Sequence, residues 1–146
     1  MNRGRVEQVD APYTIYARPK TRFVAGFIGR TNFLEGRREG QQVAFDSFAV
    51  DAARLEGLDG HARTITASVR PQSLTLTATL PAASQALPPI QGRIAERTFL
   101  GEYWDYVFAA GNSPLRVKVA ARPTDVFDID ADVWLVIDPR HMVVIP

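Results

Sequence analysis

Residues of the types that most often bind metals are sparse and scattered in this sequence. Its two histidines, His61 and His141, are eighty residues apart in polar, turn-like stretches. A histidine metal site needs further ligands at short, regular spacings, and neither histidine has them nearby. We therefore expect both histidines to be ordinary surface residues.

The acidic run DVFDIDAD, in the last quarter of the chain, has part of a calcium-loop pattern. Asp128, Asp130 and Asp132 have the i, i+2, i+4 spacing that opens such a loop. The loop also requires glycine at its sixth position and glutamate at its twelfth, where this chain has Val133 and Pro139. We therefore expect no metal site, and the period of two predicts an acidic, water-facing stripe on a strand.

Catalytic motifs are also missing. The sequence has no G-x-S-x-G nucleophile turn, no G-x-x-x-x-G-K-[ST] phosphate loop and no G-x-G-x-x-G fingerprint. It contains no cysteine, which excludes a thiol nucleophile and is typical of proteins in a reducing compartment. We therefore expect no catalytic, cofactor-binding or metal-binding residues in this chain, and no enzyme activity of its own.

The aromatic run FLGEYWDYVF, residues 99–108, is the best candidate for a contact surface. Exposed rings on a small barrel can stack on single-stranded nucleic acid, but such sites also need a positive groove. The run contains Glu102 and Asp105 and no basic residue, so we expect core packing or a protein interface and no nucleic-acid partner. The candidate contacts are Phe99, Tyr103, Trp104 and Tyr106.

Two arginines are candidate anion contacts. Arg70 precedes Pro71 at a predicted strand end, and Arg97 lies just before the aromatic run. Guanidinium groups bind oxyanions through paired, charge-assisted hydrogen bonds. A stand-alone module that binds a small anion or another solute is therefore one open interpretation.

Charge is unevenly distributed, although the net charge is only +1. Residues 1–40 contain eight basic and four acidic residues, and residues 41–146 contain nine and twelve. A basic segment can bind phosphates or an acidic partner, but a solvated, arginine-rich linker is the simpler interpretation. No apolar run approaches the roughly 18 residues that would span a bilayer, so we expect a soluble protein.

The first 30 residues predict short helices. Pro12 suits the first turn of one helix with Asp10 as its cap, and Thr21 can cap a second helix. The run FVAGFI then places four apolar side chains on one face. Helices under about 12–15 residues are marginal in water, so both must pack against something else.

From Asn32 onward the pattern is that of strands, interrupted by a loop at 80–89. The predicted strands that follow are 64–69, 74–77, 90–96, 103–109, 115–120, 133–137 and 142–145. We expect the fourth and fifth to form a hairpin, and the last two to form another across the turn DPRH. The fold class is therefore mainly β, a small sandwich or barrel with a short helical N-terminal arm.

A set of recognisable positions also runs through the N-terminal arm. They are Gly4, Gln8, Pro12, Ile15, Tyr16, Pro19, Phe23, Val24, Ala25, Phe27, Ile28, Gly29 and Asn32. Later segments are VRPQSLTL, GRIAERTFLGEYWDYVF and DVWLVIDPRHMVVIP. In this order they resemble the ATP-binding subunits of ABC importers, where the ATPase domain leads into a C-terminal regulatory domain. Gln72 stands where that family usually has Glu, and Asp10 and Ala11 replace a usual Gly and small hydroxyl residue.

The resemblance implies a TOBE-type, OB-like β-barrel. Residues 1–30 would be the end of an ATPase domain and the connecting arm, and residues 31–146 the regulatory β domain. This piece would be non-catalytic, whereas the parent subunit would bind ATP and Mg²⁺ to drive uptake.

The resemblance also implies partners and a location. The domain would pair with a second copy of itself, and the ATPase domain would contact transmembrane permease subunits at the cytoplasmic side of a bacterial inner membrane. The details are most similar to importers of polyamines (spermidine/putrescine), ferric iron or phosphonates.

Overall fold

The computed structural model describes residues 2–6, 8–82 and 87–146, and at Ile28 it describes only the backbone. Part of the predicted loop at 80–89 therefore lies outside the described residues, as does one of the four apolar side chains expected on the second helix.

Two short helices form the N-terminal arm, α1 (Pro12–Ala17) and α2 (Arg22–Ile28). Thr21 caps α2 as predicted, because its Oγ1 accepts a hydrogen bond from the backbone N–H of Val24 at 3.1 Å. The predicted cap Asp10 is wrong, since α1 begins one residue too late for it and its N-cap residue makes no side-chain hydrogen bond.

The strands within the described residues form two five-stranded sheets. The first sheet contains β1 (Asn32–Glu39), β2 (Gln42–Phe45), β3 (Phe48–Asp51), β4 (Thr64–Val69) and β10 (Val143–Ile145). The second contains β5 (Thr75–Thr77), β6 (Ile90–Phe99), β7 (Trp104–Ala110), β8 (Arg116–Ala121) and β9 (Asp132–Val136). The strand orders are β10-β4-β1-β2-β3 and β5-β9-β6-β7-β8, and the neighbouring strands are antiparallel.

The two sheets share one apolar core. Side chains alternate between core and solvent along most of β1, β6 and β8, as half-buried strands require. Ile94 and Phe108 reach the core from the second sheet, and Val43 and Val50 reach it from the first. The prediction of a mainly β, sandwich- or barrel-like fold with a short helical arm is therefore confirmed.

The first predicted hairpin is confirmed and the second is wrong. β7 pairs with β8, as predicted. In contrast, β9 pairs with β5 and β6, whereas β10 crosses to the other sheet and pairs with β4. The reason is the 3₁₀ turn Pro139–His141, in which Asp138 Oδ1 accepts a hydrogen bond from the Arg140 N–H at 2.9 Å. This turn makes a corner between the sheets, although an Asp-Pro pair suits a hairpin equally well.

Asn32 closes the gap between the two sheets at the outer edge of β8. Its Oδ1 accepts a hydrogen bond from the Lys118 N–H at 2.8 Å, and its Nδ2 donates to the Lys118 carbonyl at 2.9 Å. A side-chain amide thus satisfies backbone groups that an edge strand would otherwise expose.

The close approach of β6 to β7 depends on Gly92. A Cβ at this position would lie against the Ala109 carbonyl oxygen and 2.5 Å from Cζ of Phe108. We expect Gly92→Ala to lower the free energy of unfolding by about 1–3 kcal/mol, since neither neighbour can move without shifting the sheet. Urea denaturation followed by circular dichroism measures the loss. Gly60→Ala is the matched control, because its Cβ meets nothing within 4 Å; equal midpoints for the two variants would contradict the packing argument.

Candidate functional site

The guanidinium of Arg70 points into the N-terminal arm. Arg70 follows β4 and is only 9% exposed. Its Nη1 donates to the carbonyls of Ala25 at 3.0 Å, Gly29 at 2.8 Å and Arg30 at 3.1 Å. These carbonyls lie at and just beyond the end of α2, where helical backbone has no partners of its own and favours a positive charge.

Arg70 also contacts the first helix. Its guanidinium lies 4.6 Å from the ring centroid of Tyr16, and Gln72 donates to the hydroxyl of the same tyrosine at 2.6 Å. Burial lowers the pKa of Arg70. Because its Nη1 is held by backbone carbonyls, one face meets the ring of Tyr16 and little of the side chain is exposed, Arg70 clamps the arm to the barrel and is not free to bind the anion predicted from the sequence.

Arg97 and the aromatic run form a continuous stack on the β6–β7 hairpin. Arg97 lies 5.3 Å from the ring of Trp104, which packs against Phe99 at 4.9 Å and Tyr106 at 5.7 Å. The structure therefore brings together four of the six residues predicted as contacts. The Nη1 of Arg97 also donates to the carbonyl of Phe127 at 3.0 Å, so that part of its hydrogen-bonding capacity is already used.

Tyr106 belongs to the core. Its side chain is fully buried, its hydroxyl donates to the Asp125 carbonyl at 2.7 Å, and the same hydroxyl accepts from the Phe127 N–H at 2.9 Å. Burial raises the pKa of this phenol. The ring is therefore a support for Trp104 and is not itself available as a surface contact.

Tyr103 lies apart from this stack, beneath the arm. The guanidinium of Arg30 is 5.7 Å from its ring and donates to Asp105 Oδ2 at 2.7 Å, which raises the pKa of Arg30. Arg30, Asn32 and Tyr16 were not predicted as site residues. The fixed spacings in the arm drew attention to Asn32 and Tyr16, but nothing local in the sequence indicates which distant atoms they contact.

The exposed end of the hairpin carries an apolar surface, the hairpin-end surface, made by Phe99, Leu100, Trp104 and Val126. Phe99, Leu100 and Val126 are each about half exposed or more. The surface spans the hairpin and the loop after β8, which are held together where Trp104 Nε1 donates to the Pro123 carbonyl at 3.2 Å.

The acidic run and the histidines form no metal centre. Asp128 pairs with Arg97 at 3.2 Å and Asp130 with Arg93 at 2.9 Å. The predicted acidic stripe is wrong, because this run is a turn in which Asp130 has φ 66° and only Asp132 belongs to a strand. His61 and His141 are exposed, and no group of three potential metal ligands occurs within the described residues. No helix in that part of the chain is long and apolar enough to cross a membrane.

Comparison with known protein families identifies the barrel. The TOBE domain profile matches residues 67–145, from β4 through the aromatic stack to β10. The chain belongs to the TOBE domain family. This confirms the predicted resemblance and the OB-like fold.

Curated relatives of this TOBE chain are import ATP-binding proteins. The spermidine/putrescine import ATP-binding protein PotA of Pseudomonas aeruginosa UCBPP-PA14 is 38% identical over 119 residues, covering 77% of this chain and 32% of the relative. The same-named protein of Frankia alni is 32% identical across the whole chain and 35% of its own length. The Fe(3+) ions import ATP-binding protein FbpC of Vibrio cholerae is 25% identical across the whole chain and 40% of its own length. The chain thus spans about a third of the length of these relatives.

One solved structure with this fold is the cytoplasmic molybdate-binding protein ModG, determined with molybdate bound. The TM-score is 0.59 at 12% sequence identity, and the match covers 79% of this chain and 96% of ModG. At this identity the likeness concerns the fold.

The contacts of Arg70 predict that the chain becomes less stable when its guanidinium is removed. Arg70→Met keeps the length of the side chain but leaves the buried carbonyls around α2 without a donor, so we expect unfolding to become easier by about 2–4 kcal/mol. The arm should loosen first. Chymotrypsin should then cleave the variant faster than the unchanged chain after the aromatic side chains within residues 13–27. Mass spectrometry of the fragments detects this cleavage.

The matched control for the clamp is Arg18→Ala. It removes another cationic link between arm and barrel, an exposed ion pair with Glu56 at 2.8 Å, and should change little. If the arm of Arg70→Met were cut no faster than that of the control, the clamp would not be what holds the arm.

Proposed function

We propose that this chain is the C-terminal regulatory and dimerisation domain of the ATP-binding subunit of an ABC-type importer for a polyamine, iron or a similar small solute. Residues 1–30 would be the end of the ATPase domain and the connecting arm, and residues 31–146 the regulatory domain. The main support is that import ATP-binding proteins match the whole chain, including the arm, over only about a third of their length.

The exposed apolar side chains of the arm support the proposal that an ATPase domain lies beside it. Val9, Tyr13 and Phe27 are between 72% and 81% exposed, although their neighbours Val24 and Ala25 are buried. Apolar side chains in short helices need a packing partner, and the barrel covers only one side of this arm. We infer that the ATPase domain covers the other side.

The Arg70 clamp would make the arm and the barrel move together. A regulatory domain can shift the open–closed balance of an ATPase pair only through contacts that differ between the two states. With the arm fixed by Arg70 and by the Arg30–Asp105 ion pair, a displacement of the barrel would reach the ATPase domain directly. The domain itself would perform no catalysis; ATP and Mg²⁺ would bind in the parent subunit, on the cytoplasmic side of the inner membrane beside the permease subunits.

The hairpin-end surface is the proposed contact with a second copy of this domain. It is apolar, and its rings are supported from below by the buried Tyr106, so little side-chain entropy would be lost on binding. A twofold pairing brings the same surface of both copies together.

A second candidate function is a stand-alone module for a small anion or another solute. The observation in its favour is that the fold matches 96% of ModG, a cytoplasmic molybdate-binding protein. Against it, Arg70 is committed to the arm and Arg97 is partly committed to Phe127 and Asp128.

The native gene product tests the proposed function. Purified from its own cells, it should have a mass well above the 16.2 kDa of this chain and should hydrolyse ATP. Intact mass spectrometry and a phosphate-release assay measure both properties. A native product of 16.2 kDa would overturn the importer proposal and favour the stand-alone module.

Light scattering tests the proposed pairing. The chain should have twice its 16.2 kDa mass at high concentration, provided the contact reaches the roughly 1,200–2,000 Å² of a specific interface. Phe99→Ser with Leu100→Ser should shift it to the monomer. Leu80→Ser, which changes a leucine elsewhere that is even more exposed than Leu100, should leave the dimer intact. A dimer that survives the double substitution would place the contact on another surface.

A further inference from the structure

A cleft at the end of β1 farthest from Asn32 collects basic side chains. It has a volume of about 690 Å³ and is lined by Arg37, Arg38, Arg63 and His61, with Thr64 beside them. No residue of the arm or of the hairpin-end surface lines the cleft, so neither the ATPase proposal nor the dimer proposal accounts for it.

The arginines of this cleft differ from most of the other basic residues in having no ion-pair partner among the described residues. Nine basic residues elsewhere in the described chain form ion pairs, and Arg70 is held by backbone carbonyls. Within the same residues, Arg37, Arg38 and Arg63 have no carboxylate within 4.0 Å; Arg38 Nε donates only to the Gly40 carbonyl, at 3.3 Å. The nearby Asp59 uses its Oδ1 to accept a hydrogen bond from the backbone N–H of His61 at 2.9 Å.

Two of these arginines, Arg38 and Arg63, lie opposite each other on adjacent segments of the first sheet. The Arg38 N–H donates to the Arg63 carbonyl at 2.8 Å, which continues the register in which Arg37 lies opposite Thr64. Like charges directly opposite on neighbouring strands destabilise a sheet. An anion between them would remove the repulsion and form charge-assisted hydrogen bonds with both guanidinium groups.

We propose that the cleft lined by Arg37, Arg38 and Arg63 binds the phosphate groups of a small, multiply charged anion. Guanidinium forks match the oxygens of a phosphate group, and the two that lie opposite each other, on Arg38 and Arg63, favour an anion with more than one phosphate over a singly charged one. The site is a binding site in addition to the proposed function and does not rest on it.

Isothermal titration calorimetry of the full chain with pyrophosphate, at low ionic strength, tests the site. We expect saturable binding that weakens as sodium chloride is added, because salt screens exposed charges. Arg38→Gln with Arg63→Gln should weaken the affinity about tenfold or more. No heat from pyrophosphate, or equal binding by the double variant, would overturn the proposal.

Two further measurements separate a binding role from a structural one. Arg93→Gln is the matched control, since it removes one exposed, ion-paired arginine from the other sheet and should leave pyrophosphate binding unchanged. Relief of the Arg38–Arg63 repulsion should leave the melting temperature of the double variant equal to or above that of the unchanged chain. Lost binding together with a lowered melting temperature would instead mean that the arginines serve the fold, and would overturn the proposal.

The phosphate groups could belong to a soluble anion or to a lipid headgroup, and sedimentation with vesicles that contain cardiolipin, whose headgroup has two phosphates, distinguishes the two sources. Pyrophosphate binding without co-sedimentation assigns the cleft to a soluble anion. Co-sedimentation that is lost in the double variant but kept in Arg93→Gln assigns it to a headgroup.

Discussion

The burial of one guanidinium, that of Arg70, makes an otherwise unstable arm part of the barrel. Neither α1 nor α2 exceeds seven residues, so neither would persist alone in water. A buried charge needs hydrogen-bond partners, and the carbonyls at the end of α2 need donors. Each therefore satisfies the other, and the ring of Tyr16 covers one face of the guanidinium. The direction in which the arm leaves the barrel follows from this contact.

The barrel holds together by different means. Its core is apolar, and the sheets meet at places where backbone approaches backbone, as at Gly92, or where a side-chain amide completes an edge, as at Asn32. The polar and aromatic side chains differ in whether they find partners within this barrel. Most arginines form ion pairs, and Tyr106 is buried. In contrast, the arm and the hairpin-end surface expose apolar side chains, and the arginines of the basic cleft have no ion-pair partner among the described residues. These three surfaces are where contacts with other molecules are to be sought.

The errors made from the sequence have a common physical cause, which is that the same local pattern can fit more than one structure. The strands ending the chain were placed correctly, but Asp-Pro in the connecting turn suits a hairpin and a corner between sheets equally well. The acidic run has the period of a strand, yet Asp130 adopts a left-handed conformation and breaks it. Tyr103 and Tyr106 have similar neighbours in sequence, although one lies under the arm and the other in the core.

The sequence by itself determined the fold class, the positions of the strands from residue 64 onward and the family, because hydrophobic periodicity and turn residues act over a few positions. It also determined that no familiar catalytic motif is present. Only the tertiary structure decided what Arg70, Asn32 and Tyr106 do, since their partners lie between 19 and 86 residues away along the chain. The same holds for the basic cleft, where the strand register brings Arg38 opposite Arg63. Such long-range pairings depend on how the sheets close, which no local pattern encodes.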